Sequence, residues 1–169
     1  MSPKLRWFLV PLLISLCADQ LTKRMVMSRF YYGESFSVIP GFFDLTYVRN
    51  PGGAFSFFAS GPSELRMAFF IGTTLIAIVL LFVFYRRLES DALLSAAALG
   101  TILGGAVGNL IDRIAYGEVV DFLDFYIGSY AWPTFNVADS CIVVGVSVLI
   151  FEMFMEGREV ETPAGARPS

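Results

Sequence analysis

Long apolar runs alternate along the chain with short polar clusters, and most of those clusters sit at the ends of the runs. Residues 67–85 carry no charge over 19 positions, and residues 92–111 carry none over 20. Residues 135–155 form another run, interrupted by Asn136 and Asp139 at one end and Glu152 at the other. A bilayer core of about 30 Å requires roughly 20 mostly apolar helical residues to cross it, so each of these runs predicts a spanning helix.

The first apolar run is shorter. Residues 7–18 are followed at once by Asp19, Gln20, Lys23 and Arg24. Placed after Lys4 and Arg6, this stretch has the form of a secretory h-region. Ile14-Ser15-Leu16-Cys17 even approaches a cleavage box, but Leu16 stands where such a box needs a small side chain. With three spans following, the chain reads better as retaining a first helix over about 6–27. Pro11 lies within it, which a membrane helix tolerates when neighbours satisfy the freed carbonyl.

Four spans put both termini on one side of the membrane. Basic residues are equal in number on the two sides, but Lys4, Arg6, Arg86 and Arg87 sit in short segments beside the spans. That density places both termini in the cytoplasm. The outward connections are then 28–66 and 112–134. In the first, 43–49 has the aromatic and β-branched content of a strand, Asn50-Pro51-Gly52-Gly53 is turn chemistry, and 54–58 reads as a second strand. In the second, 119–123 is another strand-like run. The expected fold is an all-α membrane protein: a four-transmembrane-helix bundle with a small β-rich extracytoplasmic cradle or lid. A single membrane-embedded domain covers 1–156. The tail 157–169, rich in Gly, Pro and charge, is expected to be disordered and cytoplasmic.

Composition narrows the chemistry. Of 169 residues, 56% are hydrophobic and only 16% charged, well below the roughly 25% charged residues of a soluble domain. The chain has no histidine, which removes a His general base, a His-ligated metal and any Ser–His or Cys–His nucleophile. Its two cysteines, Cys17 and Cys141, lie inside apolar runs and offer neither a metal set nor a disulfide framework. No metal or cofactor is expected. A net charge of −3 without a basic tract argues against nucleic acid as a partner.

What remains is a convergence of polar residues at one membrane surface. Asp19 and Lys23 close the first span, and Asn50 lies in the first outward loop. Asn109, Asp112 and Arg113 close the third span, Asp121 and Asp124 follow in the second outward loop, and Asn136 and Asp139 open the fourth. Ionisable groups at membrane depth are costly and are functional candidates by default. Asp19 and Lys23 are four residues apart with the acid first, the favoured order of a helical pair; an interfacial ion pair and a role in the site both fit. Gly100, Gly104 and Gly108 recur every four residues as a close-packing stripe.

Asp121 and Asp139 stand out as a pair. If the third and fourth spans pack together, both can face one cavity. Two carboxylates held close share a proton; one then serves as general base on a water while the other polarises a carbonyl, as in aspartic proteases. The plainer alternative pairs Asp139 with Arg113 and leaves Asp121 solvated.

Five blocks carry a resemblance. They read Asp19-Gln20-Leu21-Thr22-Lys23; Arg49-Asn50-Pro51-Gly52-Gly53-Ala54-Phe55-Ser56; Gly104-Gly105-Ala106-Val107-Gly108-Asn109-Leu110-Ile111-Asp112-Arg113; Val119-Val120-Asp121-Phe122; and Phe135-Asn136-Val137-Ala138-Asp139-Ser140. In this order, and with four spans around them, they resemble the lipoprotein signal peptidases (signal peptidase II), bacterial intramembrane aspartyl proteases. The resemblance implies removal of signal peptides from prolipoproteins on the N-terminal side of a diacylglyceryl-modified cysteine. It implies a catalytic dyad on Asp121 and Asp139, with Asp124 a decoy. Support for substrate and dyad falls on Asn50, Asn109, Arg113 and Asn136, and structural roles on Asp19, Lys23, Gly104 and Gly108. It further implies a monomer in the bacterial cytoplasmic (inner) membrane, in contact with membrane lipid, its site near the outer surface. One departure is visible: Pro51 and Gly53 stand where this family commonly has Thr and Ala. A small proton-coupled carrier is the competing reading, though four spans are few and no inverted repeat is apparent.

Overall fold

The computed structural model describes residues 1–52 and 63–160. It contains four helices long and apolar enough to cross a membrane, together with a four-stranded antiparallel sheet in the order β1-β2-β3-β4. Helix α1 (Pro3–Arg29) begins at Ser2, whose hydroxyl accepts the Leu5 N–H at 3.3 Å. Pro3 fills the first helical position, where no N–H is needed. The helix continues through Pro11.

Helix α2 (Ser63–Arg87) and helix α3 (Leu93–Tyr116) are joined by a short turn. Lys4 reaches this turn and donates to the Leu88 carbonyl at 2.6 Å, tying the start of α1 to the end of α2. Helix α4 (Val137–Val160) closes the bundle. It continues through 157–160, which composition had placed in the disordered tail; residues 161–169 lie outside the described part. Composition also cut the third span too early. Helix α3 passes the expected end at 111 because hydropathy falls at Asp112 and Arg113 while the helical backbone continues to Tyr116. It stops only at Gly117, which takes the left-handed conformation (φ 76°) and returns its N–H to the Arg113 carbonyl.

Helix α3 is the centre of the bundle, packing on α1, α4 and α2. Lipid offers no hydrophobic drive between helices, so close approach decides the packing. A Cβ on Gly100 would strike the Phe8 carbonyl, one on Gly104 the Ser15 hydroxyl, and one on Gly108 the Asp19 carboxylate. The expected stripe is therefore the seam between α3 and α1. Gly105 and Gly145 serve the α3–α4 contact in the same way, against Ala138 and Ala98. Helix α2, whose apolar stretch is unburied, leaves Phe69, Ile76, Val79 and Phe84 exposed as a lipid-facing surface.

The sheet caps one end of the bundle. Strand β2 (Phe43–Asn50) and strand β3 (Val119–Ile127) appear where the sequence predicts strands. Strand β2 has a partner on each side. It pairs with β1 (Ser35–Ile39), a short exposed strand whose sequence gives no strong signal, and on its other side with β3. The proposed strand at 54–58 lies outside the described residues. Strand β4 (Tyr130–Ala131) extends β3 through a turn at Gly128, and Phe135 adds a bridge to Leu123. Two apolar clusters frame the molecule: Phe8, Tyr85, Ala96, Leu99 and Leu103 far from the sheet, and Val26, Tyr47, Val120 and Phe122 beneath it.

Candidate active site

Between these two clusters lies a buried polar layer. Along α1 the buried positions Ser15, Asp19, Lys23 and Val26 follow one another at spacings of four, four and three, a single helical face turned inward. Asp19 is 0% exposed and Lys23 1%. Burial of charge on this scale requires complete pairing, and the pairing is complete: the Lys23 ammonium lies 2.9 Å from Asp19 Oδ2 and 2.8 Å from Asp112 Oδ2, and donates to Asn109 Oδ1 at 2.9 Å. The ion pair expected from the spacing of Asp19 and Lys23 is thus internal, and Asp112 shares it.

Asp121 and Asp139 reach one site from different elements. Asp121 sits in β3, two residues after the strand leaves the α3 stop. It is 2% exposed, and its neighbour Val120 is fully buried. Both carboxylate oxygens are occupied: Asn136 Nδ2 donates to Oδ1 at 2.6 Å and Asn50 Nδ2 to Oδ2 at 3.0 Å. Burial pushes this carboxyl up to about 7, against the pull of the Asn50 hydrogen bond, with the nearby charge of Asp139 adding to the rise.

Asp139 lies in the first turn of α4. Its backbone N–H donates to Asn136 Oδ1 at 3.0 Å, while its own carboxylate accepts the Asn136 backbone N–H at 3.3 Å. This reciprocal arrangement is a capping box made with Asn and Asp, so the three-residue spacing fixes the side chain of Asp139 against its own helix. Asn109 Nδ2 donates to the other oxygen at 2.8 Å.

The three asparagines share one logic. Each has its carbonyl oxygen taken by a donor other than the two carboxyl groups, which turns its NH₂ toward one of them. Asn136 Oδ1 accepts from Asp139 N–H, and Asn109 Oδ1 accepts from Lys23 and Asn136. Asn50 Oδ1 accepts from Gly52 N–H at 3.0 Å, closing an Asx turn around Pro51. The departure at Pro51 therefore suits the turn: proline's missing N–H is not called upon, and its fixed φ favours the bend.

A cavity of about 600 Å³ opens beside the pair. Asn50, Asn109, Arg113, Asp121, Asp139 and Ser140 form its polar floor, and Val119, Trp132, Pro133, Phe135, Val143 and Val144 its apolar wall. Arg113 stacks over the Phe70 ring at 5.2 Å and donates to the Asn109 carbonyl at 3.2 Å. Among the described residues it forms no ion pair with Asp139, so the plainer reading of that aspartate as a salt-bridge partner does not hold. Asp124 points away: three positions along a strand reverses the face. Its register partner is Asp44, and burial together with that like charge raises its carboxyl. Gly104 and Gly108 lie below the site, and Gly108 makes room for Asp19.

One polar residue that the sequence placed at this surface, without a role of its own, belongs to the buried layer. Asp112, 1% exposed, accepts the Val120 N–H at 3.1 Å and the Gln20 amide at 3.1 Å. Its signal was present three residues after Asn109, on the same face of α3. Among the described residues no acidic or thiol cluster with metal-binding geometry occurs.

Comparison with known proteins agrees with this architecture. Residues 12–155 match the family described as signal peptidase (SPase) II. The lipoprotein signal peptidase of Syntrophus aciditrophicus (strain SB) is 45% identical over 159 residues, covering 94% of this chain and 99% of that one. The lipoprotein signal peptidase of Syntrophotalea carbinolica is 48% identical over 157 residues, covering 91% and 96%. A bacterial membrane enzyme solved by the in meso method at 2.3 Å resolution superposes with a TM-score of 0.80 at 32% identity, over 93% of each chain. The matched stretch takes in most of α1, all of α2 and α3, the sheet that carries Asp121 and the first turn of α4 that carries Asp139, and it ends within α4: the chain belongs to the signal peptidase II family and is a membrane-embedded peptidase.

Proposed function

We propose that this protein is an aspartic endopeptidase that removes signal peptides from prolipoproteins, cutting on the N-terminal side of a diacylglyceryl-modified cysteine. The observation that carries the mechanism is the pairing of a buried carboxyl, Asp121, with a partly buried one, Asp139, joined through one asparagine and opening on one cavity. Asp121, raised to about 7 by burial, holds the shared proton at neutral pH. Asp139, surrounded by donors at a helix N-terminus, is the base.

Chemistry follows from that division. A water lying between the carboxyl groups gives a proton to Asp139 as its oxygen adds to the scissile carbonyl. Asp121 delivers its proton to the carbonyl oxygen, and a neutral tetrahedral diol forms. Asp121 then takes back a hydroxyl proton as the C–N bond breaks, and Asp139 passes its proton to the departing nitrogen of the cysteine. The dyad returns to its starting state, holding one proton. Water and two carboxylates suffice, and the missing histidine is not needed.

The apolar wall of Trp132, Phe135, Val143 and Val144 beside a polar floor suits a substrate that is a peptide on one side and lipid on the other. The density of Lys and Arg in the short segments favours the cytoplasmic (inner) membrane with both termini inside and the site near the outer surface. Such an enzyme acts as a monomer. The test is direct. Purified protein in detergent receives the same pro-lipoprotein with and without its diacylglyceryl group, and the products are read by mass spectrometry. Cleavage immediately before the lipidated cysteine, with the unlipidated form cut poorly, is the expected result. Equal rates on both forms would make it a general membrane protease.

A further inference from the structure

The Lys23 ammonium stands at the middle of a symmetrical arrangement that the catalytic proposal does not use. It pairs with two carboxylates, and each of these holds one backbone N–H. Asp19 Oδ1 accepts the N–H of Ala138 at 2.9 Å; Asp112 Oδ2 accepts the N–H of Val120 at 3.1 Å. Ala138 immediately precedes Asp139, and Val120 immediately precedes Asp121. One cation on α1 thereby joins two anchors, one fastened to α4 and the other to β3, each next to a dyad aspartate. The same ammonium also donates to Asn109 Oδ1, which keeps the Asn109 NH₂ turned toward Asp139.

The geometry points to Lys23 and Asp112 as positioning residues that set the spacing of the two carboxylates, with Asp19 as the second anchor. This rests on the aspartate dyad proposed above. Three physical points support it. The anchored groups are backbone N–H donors, so the contact fixes the chain and leaves the aspartate side chains free to meet the asparagines. The three charged residues are almost fully buried, which removes solvent screening and makes their geometry stiff. Stability alone gives little reason for such a cluster: neutral residues of similar shape often serve a fold equally well or better. Gln20 completes the network by donating to Asp19, Asp112 and the Gly108 carbonyl.

The test replaces the whole cluster without leaving a lone buried charge. In the triple variant Asp19→Asn, Lys23→Met, Asp112→Asn, volume is kept and each Asn still offers a carbonyl to its N–H. Melting temperature in detergent, kcat and KM on lipidated pro-lipoprotein are measured beside wild type and Asp121→Asn. The expected result is a folded protein with unchanged KM and kcat lower by about 10- to 100-fold, the scale of a small misplacement of reacting groups. A folded variant with kcat close to wild type overturns the proposal. So does a loss confined to KM. Should the triple variant not fold, Asp112→Asn alone, which keeps the Lys23–Asp19 pair, is judged by the same kcat and KM criteria. A fully active Asp121→Asn would instead overturn the dyad itself, and the two failures are told apart.

Discussion

Asp121 is the residue in which burial and chemistry meet. Its carboxyl is taken from the ordinary carboxylate range to about 7 by loss of solvent, with Asp139 adding to the rise and two asparagine donors opposing it. A carboxyl raised in the folded state binds more protons there than in the unfolded chain between about pH 4 and pH 7. Its contribution to stability is therefore fully present below about pH 4 and is lost as the pH rises through 7. Removing the titrating group removes that loss. The difference in melting temperature, Asp121→Asn minus wild type, should grow from pH 5 to pH 8 in detergent; a difference that stays flat or shrinks contradicts the assignment. Peptidase activity should decline over the upper part of the same range as the shared proton leaves.

At this scale much of the site was legible. Asp139, Arg113, Asn109 and Asn136 were indicated by their place at the ends of spans, and Asp121 and Asn50 by outward loops returning to the same surface, because polar groups at membrane depth need a reason. Hydrogen-bond direction was not legible. Nothing in the spacing of Asn50 and Gly52 says that the turn around Pro51 aims the Asn50 amide at Asp121, since that depends on β2 lying beside β3. Asp112 was indicated by its place at the end of the third span, but its partner was not: its carboxylate takes the N–H of Val120, eight residues on and reached only after α3 has stopped at Gly117.

Among the elements, the helix seams carry the packing. The stripe of Gly100, Gly104 and Gly108 was readable from period alone, because residues four apart share a helical face. Its partner was not, since any span could have faced it. In the structure a Cβ at Gly104 meets the Ser15 hydroxyl and the Leu12 carbonyl, the second of which is backbone and has little room to yield. Gly104→Ala should cost about 1–3 kcal/mol through overpacking. Gly72, in α2, has open space around its Cβ position, so Gly72→Ala should leave stability unchanged or slightly improved. Thermal unfolding of the two variants in one detergent checks the contrast; equal losses would mean that the glycines act only through helix propensity.

The strands show where local reading stops. β2 and β3 were recognisable by β-branched and aromatic content. β1 was not, because Ser35-Phe36-Ser37-Val38-Ile39 is exposed along its whole length and owes its conformation to pairing with β2. Helix ends were misplaced for the opposite reason. Hydropathy ends a span at its first polar residues, whereas the backbone of α3 continues past Asp112 and Arg113 and carries both into the site.

For the molecule as a whole, the architecture divides labour by depth. One end is an apolar helical bundle exposed to lipid, the other a sheet, and a polar layer between them holds the reacting groups. Helix α3 contributes to every level: glycines for the α1 seam, Asn109 and Asp112 for the polar layer, Arg113 for the cavity. Four spans followed from the sequence because the bilayer imposes length and apolarity on any crossing segment. The mutual placement of Asp121 and Asp139 did not follow, since they come from a strand and a helix that meet only through tertiary pairing. Their meeting is the central claim. Cleavage of a diacylglyceryl-modified pro-lipoprotein by Asp121→Asn, Asp139→Asn and Asp124→Asn, each confirmed as folded, tests it most directly. The first two should lose cleavage by at least about a thousandfold, in the range expected for loss of an acid–base group, while Asp124→Asn retains substantial activity; full activity in either dyad variant would contradict the account.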